Sequence, residues 1–135
     1  MKTHILTLFM IVVIGLLSSC KSDDHVIEPD ITIDGTWNLK NVHGGLASIN
    51  YDYKKGDVKW TFNEINKTLT VVNKMGNDNA FILHSGIYQY IIDRNGNSQV
   101  LFVNNNDYRM VILSLNKNLV ISDDMLDGFT AQFNK

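Results

Sequence analysis

The sequence has little cysteine, little proline and little net charge. Its one cysteine, Cys20, excludes an internal disulfide framework and any multi-thiolate metal site. Its one proline, Pro29, excludes a proline-rich linker. A net charge of −2 over 135 residues, with no basic stripe, argues against a nucleic-acid partner. The densest basic spot, Lys54, Lys55 and Lys59, is interleaved with Asp52 and Asp57. The longest apolar run, Ile5 to Leu17, is broken at Thr7 and Gly15 and is short for a membrane-spanning helix. No amphipathic helical period of useful length follows Ile31. The best helical stretch, Leu46 to Tyr53, is preceded by Gly44-Gly45 and is a poor one. Asparagine is what abounds: 16 residues, mostly at breaks between apolar runs, where its tolerance of left-handed backbone suits tight turns.

The first twenty residues read as address rather than fold. Met1-Lys2-Thr3-His4 is a short positive head, followed by the Ile5–Leu17 core of a signal peptide. Leu17-Ser18-Ser19-Cys20 then resembles the bacterial lipobox: an aliphatic residue, two small residues and a cysteine. The resemblance implies cleavage before Cys20 and a diacylglycerol thioether on its sulfur, with palmitate-type acylation of the new amine. It also accounts for a lone thiol in an exported chain, otherwise a reactive liability. Lys21-Ser22-Asp23-Asp24 resembles the acidic tag after the cysteine in surface lipoproteins of Bacteroidota-type bacteria. The implied location is the outer membrane, lipid-anchored, with display at the cell surface. The sequence thus divides into a signal peptide (1–19), a lipidated cysteine with an acidic tether (20–31) and a folded domain (32–135).

The domain reads as all-β. Trp37 and Leu39, Val58, Trp60 and Phe62, Leu69 and Val71, and Phe129, Ala131 and Phe133 each alternate with polar neighbours, the period of a strand with one face inside. Glu64–Lys67, the Asn95-Gly96 pair, Asn104–Asp107, Asn116–Asn118 and Asp123–Gly128 supply turn chemistry between them. Seven to eight strands at short spacing predict an antiparallel up-and-down meander, and closure into a small barrel removes its exposed edges. Gly35-Thr36-Trp37 then resembles the Gly-x-Trp signature of the lipocalins. Gly56 to Asn63, Thr68 to Val71 and Gly86 to Tyr90 are similar in pattern to bacterial lipocalin-like lipoproteins. The resemblance implies a lipocalin-like barrel over roughly residues 33 to 135. In lipocalins an arginine near the end of the barrel packs over that tryptophan; the last strand here, Phe129 to Lys135, has none.

Chemistry-bearing residues are sparse. His43 and His84 lie in separate segments, without the paired spacing of a zinc site. Each reads as a loop or strand-end residue. Asp123, Asp124 and Asp127 lack the graded spacing and terminal glutamate of a calcium loop and read as a hairpin turn. No nucleophile elbow or phosphate loop is present. No catalytic residue, metal or cofactor is therefore expected, and a hydrolase using His84 or the Asp123–Asp127 turn is the weakest reading. Two surfaces stand out. Trp37, Trp60, Phe62, Tyr88, Tyr90, Tyr108 and Met110 form an inward set, suited either to a small hydrophobic ligand or to a packed core. Their outward neighbours Ile87, Ile91, Val100, Phe102, Val111 and Leu113 form an apolar outer face, suited to an envelope protein partner or to coverage by segment 43–56 through Leu46, Ile49, Tyr51 and Tyr53.

Overall fold

A computed structural model describes residues 32–76, 83–96, 98–123 and 125–135. The signal-like head, Cys20 and the tether lie outside the described residues, as does Asp124. The described chain is all-β: β1 (Gly35–Gly44), β2 (Ile49–Asp52), β3 (Val58–Asn63), β4 (Thr68–Asn73), β5 (Gly86–Asn95), β6 (Ser98–Val103), β7 (Tyr108–Leu115), β8 (Asn118–Asp123) and β9 (Phe129–Asn134). Every pairing is antiparallel between neighbours, and β1 also pairs with β9. Eight strands thereby close a lipocalin-like meander barrel, and β2 is an additional strand.

The alternation works as expected. Trp37, Trp60 and Val71 stand in one register row across β1, β3 and β4, and all three are buried. On the other side of the sheet, Thr36, Thr61 and Thr70 occupy the adjacent row, with the Thr36 and Thr61 hydroxyls 3.0 Å apart. Two β-bulges shift the phase. One sits between Leu39 and Asn41 against β9, the other between Ile112 and Ser114 against β8. Each inserts one residue, Lys40 or Leu113, so that burial resumes on the core side beyond it, at Val42 and toward Leu115. The β6–β7 turn has Asn104, Asn105 and Asn106 at φ 55°, 55° and 77°, which explains a run of three asparagines.

The strand β2 was not foreseen. It is a four-residue strand, exposed throughout, so it carries no burial signal. Tyr53, just after it, is buried, and its N–H donates to Lys40 O at 2.9 Å. The stretch 46–53 is therefore turn and strand, not helix. His43, expected in a loop, lies in β1 beside Gly44. Segment 43–56 does not cover the apolar outer face either. It forms the β1–β2 hairpin, and β2 pairs with β1 alone, far in sheet order from β5–β7. Leu46, Ile49 and Tyr51 are themselves exposed.

One end of the barrel is closed by the chain entering β1. Ile33 is fully buried, and Trp37 Nε1 donates to its carbonyl at 2.6 Å. The ring face of Trp37 meets Lys135. Lys135 Nζ stands 4.8 Å from the ring centroid and donates to Asp34 O at 3.2 Å. A lysine one residue beyond the last strand thus holds the position where an arginine was sought. Lys135→Ala should cost about 1 kcal/mol of stability, the scale of a cation–π contact with one hydrogen bond. Lys135→Arg should cost nothing measurable in a urea titration.

Candidate functional site

The inward set is brought together as expected, in a packed interior. Trp37, Trp60, Phe62, Tyr90 and Met110 are buried, and Tyr88 and Tyr108 are half-buried against the same core. Trp60 lies 4.9 Å from Phe133 and 6.2 Å from Phe62, ring to ring. Phe62 in turn meets Tyr90 edge-on at 5.2 Å, a favoured aromatic geometry. Two polar atoms in this core, Trp60 Nε1 and Tyr90 Oη, have no hydrogen-bond partner among the described residues, although their residues are only 1% and 2% exposed. Tyr88 differs: its hydroxyl donates to His84 O at 2.9 Å.

Burial, then the carboxylates of Glu64 and Asp34, push the Tyr90 phenol up to about 12. A phenol raised in the folded state stays neutral where the unfolded chain has already lost its proton. The folded form then holds more protons, so stability falls as pH rises from the ordinary tyrosine value near 10 through about 12. Tyr90→Phe should flatten that alkaline decline. At neutral pH it should be neutral or slightly stabilising, because the hydroxyl it removes is buried without a partner among the described residues. Urea midpoints measured across pH 8 to 12 would check both effects.

Of the outward residues, Ile91, Val100, Phe102, Val111 and Leu113 lie side by side on β5, β6 and β7, while Ile87 stands apart beyond Gln89, opposite Thr70 of β4. Ile91 stands opposite Phe102, and Val100 opposite Val111. Phe102, Val100 and Val111 are half-buried, while Ile87, Ile91 and Leu113 are 74%, 64% and 59% exposed. Leu113 continues the outward alternation of Arg109 and Val111, and the β7 bulge shifts the phase only after it. Arg109, opposite Phe102, sets a cation at the rim of the patch.

Beside this face lies a notch that the sequence did not reveal. It is lined by Glu64, Lys67, Tyr90, Ile91, Ile92 and Arg94 and encloses about 400 Å³. It exists because β5 outruns β4. Gly86–Gln89 pair with β4, Tyr90 N donates to Lys67 O at 2.9 Å, and then the chain at 64–67 turns back to β3. Lys67 itself sits at φ 54°, with Nζ 5.9 Å from the Tyr90 ring centroid.

The sparse titratable residues do not converge. His43 Nδ1 lies 3.0 Å from Asn41 Oδ1 on the outside of β1, and exposed His84 precedes β5. Asp123 Oδ1 accepts from Phe129 N at 2.7 Å, and Gly128 N donates to Met125 O at 3.0 Å, so this carboxylate stabilises the β8–β9 turn. Among the described residues no three His, Cys, Asp or Glu side chains are grouped to hold a metal ion. Compared with protein-family models, curated proteins and solved structures, the chain gives no match.

Proposed function

We propose that the protein is a lipid-anchored component of a bacterial outer membrane whose barrel is a non-catalytic binding module, working through the outer face of β5, β6 and β7. The observation that carries the reading is the grouping of Ile91 and Leu113, each more than half exposed, around Val100, Phe102 and Val111 on one sheet face. A contiguous apolar patch of this kind on a folded surface marks an interaction site. The anchor draws on Leu17-Ser18-Ser19-Cys20 and the preceding apolar core. Two or three acyl chains on Cys20, at about 0.8 kcal/mol per buried methylene, would hold the protein on the membrane almost permanently.

The test has two arms. Mass spectrometry of protein taken from its native membrane, without delipidation, should find Cys20 at the amino terminus carrying diacylglycerol; a bare thiol there defeats the anchor. A photo-cross-linking residue at Leu113 should give a discrete adduct with another envelope protein in intact cells, and one at Thr61, on the polar outer face of β3, should not. Equal labelling from both positions defeats the interaction face.

A small hydrophobic ligand inside the barrel is the second reading. Trp60 Nε1 and Tyr90 Oη favour it, as buried polar atoms without partners among the described residues. A co-purifying small molecule in the same mass spectra would support it.

A further inference from the structure

The part of β5 beyond β4 carries main-chain groups that no described residue uses. In an antiparallel strand the N–H and C=O of one residue point to the same side, and successive residues alternate. Tyr90 N points to the β4 side, at Lys67 O, while Gln89 O accepts from Asn104 N on the β6 side. Ile92 and Arg94 share the parity of Tyr90, so their main-chain groups also point to the β4 side. The turn at 64–67 has removed β4 from that position, and no described residue pairs with them there. Two donors and two acceptors therefore stand in line along the notch, a ready template for one more strand.

The charges on this edge discriminate between occupants. If a second copy paired here about a two-fold axis at Asp93, Asp93 would face the Asp93 of that copy. With the axis at Arg94, the two Arg94 residues would face each other. With the axis at Ile92, a single hydrogen-bonded residue pair could form, because Tyr90 is already engaged by Lys67. Like charges directly opposite destabilise a strand pair, so the edge is built against its own kind. A strand from another protein escapes this if its charges are complementary.

We infer that the Ile91–Arg94 edge binds an extended peptide segment by strand addition, antiparallel to β5, with the order acidic–basic–apolar–apolar. Its acidic residue faces Arg94, its basic residue faces Asp93, and its apolar pair faces Ile92 and Ile91. Lys67 occupies the place opposite Tyr90, so the added strand turns away after the second apolar residue. Glu64 and Lys67, of opposite sign, also line the notch, and Arg94 and Asp93 set the preference along the strand. The inference rests on the reading of the barrel as a binding module, and it names one partner class for that module.

The probe is a fluorescein-labelled peptide, Ser-Glu-Lys-Val-Ile-Ser, added to the full mature protein in detergent micelles. The control peptide exchanges Glu and Lys. The first should bind roughly tenfold more tightly, since two opposite-charge pairs become like-charge pairs in the control. It should also slow amide hydrogen exchange at Ile92 and Arg94 at least severalfold. The exposed double variant Asp93→Lys, Arg94→Asp should reverse the preference while keeping the wild-type circular dichroism. Equal binding of the two peptides, or unchanged exchange at Ile92 and Arg94 at millimolar peptide, overturns the inference. So does concentration-dependent protection of those amides without peptide, which would mean self-pairing. The Leu113 cross-link reports the apolar face separately, so either result can fail without the other.

Discussion

Trp60→Ala should destabilise the barrel by about 3–5 kcal/mol, the usual cost of deleting a large buried aromatic side chain. The indole is 1% exposed, it touches Phe133 and Phe62, and it stands between Trp37 and Val71 in the register. The cavity would open in the middle of the core, where rigid rings cannot collapse to fill it. A domain of this size has about 5–15 kcal/mol in total, so the variant should lose a large share of its stability. Trp60→Phe should be far milder, under about 2 kcal/mol, because it keeps a ring and removes a buried N–H that has no partner among the described residues. Urea midpoints of the two variants decide between a packed core and a tolerant ligand chamber. A chamber would accept alanine at small cost.

Gly44→Ala should cost on the order of 3 kcal/mol, through backbone strain and a collision together. Gly44 has φ 121°, and a Cβ there would collide with Gly128 O and lie 3.1 Å from Phe129 Cα. Both neighbours are backbone at the start of β9, so relief requires β1 and β9 to separate at the seam of the barrel. The expected loss is roughly 10–20 °C in thermal midpoint. Gly96 supplies the contrast. It also has positive φ, 62°, but nothing stands within 4 Å of its Cβ position. Gly96→Ala should cost about 1–2 kcal/mol, from the left-handed backbone alone.

The legible part of the fold was the part written in burial. Trp37, Trp60, Phe62 and Phe133 alternate with polar residues because one face of their strands is inside, and the turns follow from Asn and Gly. The strand β2 was illegible for the opposite reason: all four of its residues are exposed, and its place is set by main-chain pairing to β1. The two bulges left a trace, an apolar spacing of three at Leu39–Val42 and Ile112–Leu115, that strict alternation overlooks. His43 was displaced to a loop by the glycines after it, although strand pairing runs on to Gly44. Lys135 escaped because its role depends on a contact with the far end of the domain, not on its neighbours. Both apolar surfaces were readable as sets, apart from Ile87. The notch was not, since it arises from the offset between β4 and β5, which depends on how the strands slide past one another.

The pairing of β1 with β9 has a consequence in time. Asp34 and Lys135, which meet beside Trp37, lie 101 positions apart, so the ring of strands cannot close until β9 has been made. Contacts this distant in sequence make for slow folding.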